Sequence, residues 1–432
     1  MNRLPRYSAC ISLYLFINLI TSATGLKAQT IDVVIHNNGN QRKESIDLPE
    51  GMTYPIDSLL NDWKVKNYIQ AVKDCSTANE NPLFPDSIYI QRLSRIPSVM
   101  EMPYNDVVRK FIDMYATRLR NQVSFMLSAS NFYVPIFEEA LDAYNLPLEL
   151  KYLPVIESAL NPSATSRAGA AGLWQFMIGT AKIYGLEVNS LVDERRDPIK
   201  ATWAAARYLK DLYNIYQDWN LVIAAYNCGP GNINKAIHRS GKNDYWSIYN
   251  YLPKETRGYV PAFIAANYLM TYYCDHNICP METDIPASTD TIQVSHKLHF
   301  QQISDVCGIS MKQLKSLNPQ YRKQIIPGNI KPYTLRLPYG YIKSFINSQD
   351  TIYTHRANEL FSKRKVVNIS NRKYTRSRHS TPKGKRTYHK IRRGESLSTI
   401  AEKYHVRVKD IRRWNNLRNN NITAGKSLKI YK

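Results

Sequence analysis

The sequence predicts a mainly α domain of about 150 residues followed by two small α+β modules, each running strand, helix, helix, strand. Three observations predict it. From Pro103 to about Tyr273 apolar residues recur at helical spacing. Beyond residue 286 a repeat appears at an offset of 97 residues. The charge balance then shifts: residues 351–432 hold 23 Lys and Arg against 4 Asp and Glu, a net of +19 out of +23 for the whole chain.

At the N-terminus, Arg3 and Arg6 precede an apolar run, Ala9 to Ile20, and then small residues up to Leu26-Lys27-Ala28. That order is the one a secretory signal carries, with cleavage after Ala28. The run is shorter than the roughly 20 apolar residues that span a bilayer. The nearby Cys10 stands before the run's core rather than after it, so no lipid anchor is expected. The expected location is therefore periplasm or cell envelope. Residues 29–85 are polar with little apolar periodicity and read as an arm or linker.

Within the helical stretch, Val107, Val108, Phe111, Ile112, Tyr115 and Leu119 outline one buried face. Asp197-Pro198 is a helix start, with Asp as cap and Pro in the first turn. Trp203, Ala206, Leu209 and Leu212 line the helix that follows. Cys228-Gly229-Pro230-Gly231 breaks a helix, since Pro lacks an amide donor and Gly frees the backbone. Pro261 is expected to open another apolar helix. The helical lead-in and domain together span 86–285, with a core at about 135–275.

Adding 97 maps Phe300 onto Leu397, Ile303 onto Ile400, Leu314 onto Ile411, Asn318 onto Asn415 and Gly328 onto Gly425. The copies occupy 286–345 and 387–432. Residues 346–386, rich in Lys, Arg, Ser and Thr, read as a flexible linker between them. With Cys10 set aside, five cysteines remain, an odd and sparse set rather than a disulfide framework. Cys274 and Cys279 are near enough in sequence to pair or to stay as thiols. No metal-ligand spacing occurs, and no cofactor is called for.

The chemistry centres on Glu157. It closes an apolar segment, Leu148 to Ile156, and stands before the helix-ending Asn161-Pro162. Desolvation in such a setting raises a carboxyl's pKa and keeps it available as an acid. Alone, a Glu on a helix is more often a solvated surface residue. Its company changes that reading: Glu157-Ser158-Ala159-Leu160-Asn161-Pro162, Ser166, Gly169-Ala170-Ala171-Gly172-Leu173-Trp174-Gln175-Phe176, Ala225-Tyr226-Asn227-Cys228-Gly229-Pro230-Gly231, and Leu252-Pro253-Lys254-Glu255-Thr256-Arg257-Gly258-Tyr259-Val260.

These ordered motifs resemble the catalytic region of lytic transglycosylases, the soluble-lytic-transglycosylase-like relatives of goose-type lysozyme. The resemblance is strongest to the membrane-bound lytic murein transglycosylase D type, and covers the chain from about residue 86. It implies a lysozyme-like domain in which Glu157 is general acid and then base. Ser166, Gln175, Tyr226, Asn227 and Tyr259 would line the sugar subsites, with Glu255 a secondary candidate. Tyr226 and Tyr259 could instead be buried core tyrosines, Glu255 an ion-pair member, and Trp174 packing or a subsite wall. The reaction implied forms a 1,6-anhydro sugar, the muramic acid C6 hydroxyl attacking C1 without water.

The C-terminal copy resembles a LysM module through Gly394-Glu395-Ser396-Leu397, Asn415 and Ile422-Thr423-Ala424-Gly425. The resemblance implies that Gly394, Ser396, Leu397 and Asn415 mark its glycan-binding face. The earlier copy has Lys297 where Gly394 would fall and reads as a degenerate module packing on the domain before it. The expected partner is the peptidoglycan glycan strand. The basic tail would add attraction to an anionic envelope surface. Nucleic acid is excluded by the export signal. Two alternatives stay open: a hydrolysing muramidase, which needs a second carboxylate such as Asp193 or Asp197, and a non-catalytic wall-binding protein.

Overall fold

The computed structural model describes residues 30–37, 40–54, 80–283, 285–286, 288–361, 386–415, 417 and 419–431. The signal segment, Cys10 and Cys75 lie outside them. The chain divides into two compact units, residues 1–369 and 370–432, taken here in turn.

The first unit begins with a hairpin, β1 (Thr30–Asn37) antiparallel to β2 (Asn40–Asp47), and a tight 3-10 turn at Glu50–Thr53. Helices follow: α1 (Asp86–Arg95), α2 (Asp106–Ala116), α3 (Arg120–Ala143), α4 (Leu153–Ser158) and α5 (Ile178–Ile183). Then come α6 (Pro198–Tyr216), α7 (Trp219–Cys228), α8 (Pro230–Ser240), α9 (Tyr245–Ile248) and α10 (Lys254–Tyr272). Two caps are made as the sequence demands. Asn105 Oδ1 accepts from the amides of Val107 (3.1 Å) and Val108 (3.0 Å), and Asp197 Oδ1 from those of Ile199 and Lys200 (3.0 Å each).

At the centre runs α10, apolar nearly all round and buried from Thr256 to Met270 apart from Arg257, as expected of a helix with neighbours on every side. Pro261 does not open this helix, contrary to expectation, but sits inside it. Its ring removes the hydrogen bond to the carbonyl of residue 257. The Tyr245 hydroxyl donates to that carbonyl instead, at 2.8 Å, so the orphaned acceptor is satisfied.

Residues 29–85 are not, in their described part, a loose arm. Val33, Ile46, Leu48 and Met52 are buried in the main core, and the hairpin packs on α2 and α10. Glu44 is ion-paired with Arg257 of α10. β2 carries a single apolar residue, Ile46, which leaves a weak alternating signal, yet that residue and Val33 of β1 face the core.

Residues 288–361 form the first repeat copy: β3 (Thr289–Val294), β4 (Lys297–His299), α11 (Phe300–Cys307), α12 (Met311–Leu317), β5 (Ile325–Pro327) and β6 (Tyr333–Pro338). β3 pairs antiparallel with β6, and β4 with β5. The expected linker is helical up to Leu360, as α13 (Ile342–Asn347), α14 (Gln349–Thr354) and α15 (Ala357–Leu360), because Phe345 and Ile352 are driven into this copy's core. Residues 362–385 lie outside the described ones. Leu191 and Val192 of the helical domain enter the same core, and a β-bridge joins Val192 to Tyr321.

The second unit contains β7 (Arg386–Lys390), α16 (Leu397–Lys403), α17 (Val408–Trp414) and β8 (Ser427–Tyr431), with β7 antiparallel to β8. Its helices start 97 residues after their counterparts in the first copy, 300 to 397 and 311 to 408. Cys279 is disulfide-bonded, but not to Cys274. Among the described residues no helix is long and apolar enough to cross a membrane.

Candidate active site

Helix α4 is short because its end is fixed. Ala159 (φ 49°) and Leu160 (φ 58°) both take the left-handed conformation, closing the helix through Ala159 N to Val155 O (3.1 Å) and Leu160 N to Pro154 O (3.3 Å). The buried Ser158 hydroxyl donates to Leu173 O at 2.9 Å, which ties this end to the 169–176 loop. Glu157, one residue before, opens onto a cleft of about 420 Å³. Behind α4, Gly51 approaches so closely that a Cβ there would fall 2.3 Å from the Glu157 carbonyl carbon.

Glu157, Ser166, Gln175, Tyr226, Asn227 and Tyr259 all line this cleft, and Glu255 with them. The structure therefore brings together the acid, subsite and secondary candidates that the resemblance implies for the helical domain. Tyr259 Oη donates to Glu157 Oε1. Burial first, then the Glu157 carboxyl, push the Tyr259 phenol far above its ordinary value, so it stays a donor. Tyr226, raised likewise, donates to Trp174 O at 2.7 Å, which fixes its ring in the wall. Thr256 Oγ1 donates to Asn227 Oδ1 (2.9 Å), leaving the amide NH2 of Asn227 for the cleft. Gln175 has φ 45° and donates to Gly172 O at 2.8 Å, leaving its carbonyl oxygen open. The Ser166 hydroxyl accepts from Ala170 N at 3.0 Å and keeps its proton to give.

The 169–176 loop is held from outside. Arg195 donates to Gly169 O (2.8 Å) and Phe176 O (2.9 Å). Gly172 (φ 87°) passes so near that a Cβ would lie 1.7 Å from Arg195 O, a contact that only glycine permits. Trp174 is wholly buried with Nε1 donating to Thr202 Oγ1 at 2.9 Å, so it is packing and no subsite wall.

Among the described residues no cation pairs with Glu157, and its carboxyl is pushed up to about 8. Burial is the main cause; the Tyr259 hydrogen bond opposes it, and the charges of Glu255 and Glu50 add to it. Sequence reasoning missed Glu50. It sits in the 3-10 turn, lines the cleft, and accepts from Arg167 N at 3.0 Å. No motif marks it, because its place depends on a hairpin more than a hundred residues earlier than Glu157 in the chain. Met177 and Tyr208 also line the cleft unannounced.

Asp193 and Asp197 are not in the cleft. Asp193 is fully buried and paired with Arg195 (2.8 Å) and Arg322, and Asp197 is a helix cap. Glu255 makes no ion pair among the described residues, contrary to the structural alternative. Among those residues no cluster could hold a metal ion.

In the second unit the four residues assigned to glycan binding divide. Gly394 (φ 90°) and Ser396 are exposed, Ser396 capping α16. Leu397 is buried in the core, so it faces no ligand. Asn415 bridges α17 to β8, donating to Ile411 O (2.9 Å) and Lys429 O (2.8 Å) and accepting from Lys429 N (2.6 Å). Asn318 does the same in the first copy, with Leu314 O, Arg336 O and Arg336 N. Both are framework residues.

Comparison with known proteins finds three families along the chain. A transglycosylase SLT domain matches residues 135–249, the LysM-like domain of lytic transglycosylase MltD matches 288–354, and a LysM domain matches 389–430. The chain is 30% identical over 336 residues to the membrane-bound lytic murein transglycosylase D of Escherichia coli strain K12, covering 77% of this chain and 70% of that protein. It is 33% identical over 124 residues to the soluble lytic murein transglycosylase of the same strain, 27% of this chain and 19% of that one. Among solved structures, the 70 kDa soluble lytic transglycosylase of Escherichia coli aligns at a TM-score of 0.29 and 27% identity, over 34% of this chain and a quarter (25%) of its own length.

Proposed function

The chain belongs to the membrane-bound lytic murein transglycosylase D family, and we infer that it is a peptidoglycan lytic transglycosylase whose acid/base is Glu157. The observation that carries the assignment of Glu157 is its carboxyl: desolvated, paired with no cation among the described residues, pushed up to about 8, and open to the cleft. Such a group is still an acid at neutral pH.

The steps follow from that proton. Glu157 gives it to the glycosidic oxygen as the bond to C1 of N-acetylmuramic acid breaks, and the sugar's own N-acetyl group shares the positive charge. The carboxylate left behind is steadied by the Tyr259 hydroxyl, which already donates to Oε1. It then takes the proton of the C6 hydroxyl as that oxygen closes on C1. A 1,6-anhydro end forms, no water is consumed, and Glu157 regains its starting state. The Asn227 amide, Gln175 carbonyl and Ser166 hydroxyl orient the acetamido and hydroxyl groups of the strand, with Tyr226 as a fixed wall.

The export signal would deliver the chain to the envelope, and the C-terminal LysM module would hold it on glycan. The basic tail, residues 351–432, would add attraction to an anionic envelope surface. A hydrolytic reading draws on Glu50 and Glu255, which share the cleft. Digestion of purified sacculi followed by mass spectrometry decides. Muropeptides ending in 1,6-anhydro sugars are expected, and products carrying added water would overturn the transglycosylase assignment.

A further inference from the structure

Glu157 is approached from two unconnected parts of the chain. Glu50 comes from the N-terminal turn, clamped by the contact of Gly51 with the backbone of α4 and by the Arg167 amide. Glu255 comes from the first turn of α10, one helical turn before Tyr259. Both line the cleft, and neither is ion-paired among the described residues. We propose that Glu50 and Glu255 are positioning residues that flank Glu157 and hold its proton in place until substrate takes it. This rests on Glu157 being the acid.

The argument is electrostatic and geometric. Two carboxylates on a cleft wall without countercharge disfavour a third, so the buried one stays protonated. The groups that face the trio are known. From α10 come Tyr259 and Glu255, from α7 Tyr226 and Cys228, from α6 Tyr208, from the N-terminal segment Glu50, Tyr54 and, beside Glu255, Asp47. Among the described residues no cation forms an ion pair with the trio. Arg196 donates to Ser163 O and Thr165, Arg257 pairs with Glu44, and Arg167, exposed, meets Glu50 through its backbone amide. Burial and the charge of Glu50 raise Glu255 as well, the sign expected if like charges crowd one cleft.

A structural role for the N-terminal segment alone would make every substitution there lower activity evenly with pH. The proton-holding role predicts otherwise. With the purified full chain, initial rates of sacculus solubilisation are measured at pH 5 and pH 8 for the wild type, Glu50→Gln, Glu255→Gln, the double variant and Glu50→Asp. Removing one like charge lowers the Glu157 pKa from about 8 by about 0.5–1 unit, so the pH 8 to pH 5 rate ratio falls roughly two- to sixfold. The double variant falls further, and Glu50→Asp, which keeps the charge, restores the ratio. A ratio unmoved in both Gln variants, whether rates are kept or lost evenly, overturns the proposal. Failure of the parent reading shows separately, as wild-type digests without anhydro ends.

Discussion

Two buried carboxylates in one domain meet opposite fates. Glu157 faces the cleft with a phenol and two more carboxylates, and its pKa is driven up. Asp193 is fully buried, and desolvation alone would raise it too; yet hydrogen bonds and charge from Arg195 and Arg322 hold it below its usual value. Burial is common to both, so it cannot decide the outcome. The partners do. A carboxyl without cations remains an acid that can react, while one between guanidiniums becomes a permanent anion that organises its surroundings. Asp193 serves the cleft at one remove: it holds Arg195, which pins the 169–176 loop, and Arg322, which docks the first repeat copy.

The widest split between the two comes from removing each charge. Glu157→Gln is expected to abolish solubilisation by about 10³-fold or more, because the proton donor is gone. The same change makes the protein more stable at pH 8. Between the ordinary carboxylate value of 4.5 and about 8 the unfolded chain has lost this proton and the fold has kept it, so wild-type stability falls as pH rises through that window. In Glu157→Gln that fall disappears, as thermal melts at pH 5 and pH 8 would show. Asp193→Ala should do the reverse, costing about 3–5 kcal/mol by denaturant titration by stranding the buried Arg195 guanidinium. The stability that Asp193 gives is present above 3.8 and is lost as pH drops below that through its lower folded value. Equal stability of both variants at neutral pH would break the comparison.

Much of the cleft was legible from sequence because motif residues lie on short, strongly signalled elements. Glu157 through Gln175 occupy one tight loop-helix unit, Tyr226 and Asn227 stand at the end of α7, and Tyr259 lies inside α10, one turn after Glu255. Asp193 passes in the sequence for a possible second catalytic carboxylate, since nothing local reveals that Arg322, more than a hundred residues on, pairs with it. Glu50 was hidden for the same reason. Leu397 and Asn415 show the converse case, motif positions whose side chains the fold itself employs. A motif position can recur because the fold needs it, and the matching bonds of Asn318 and Asn415 are made to backbone groups of their own modules. The helices at 342–360 were lost because their buried residues, Phe345 and Ile352, are sparse among polar ones.

A milder change sharpens what sets the Glu157 side. Tyr259→Phe deletes the donor that favours the carboxylate form. Activity should fall about 10–100-fold, the worth of a hydrogen bond to a charged group. The remaining activity should extend to higher pH, since the Glu157 pKa rises without that bond. That is opposite in sign to the effect of Glu50→Gln, so the two pH profiles test one cause from both sides.

The smallest expected effect lies at the seam. Arg322→Ala removes one of the guanidiniums on Asp193, with Arg195 still in place at 2.8 Å. The backbone bonds of the seam also survive, Arg322 N to Leu191 O at 2.7 Å and Asp193 N to Gln320 O at 2.8 Å. The Arg322 side chain is one-third exposed (33%), so water replaces part of what is lost. A cost of about 1–2 kcal/mol follows. It should appear as faster hydrogen exchange at residues 320–322 and 191–193, with solubilisation unchanged because the Arg195 contacts to the cleft loop are intact. If activity fell in step with seam protection, the docked copy would be steering the cleft, and Asp193 would belong with Glu157 rather than opposite it.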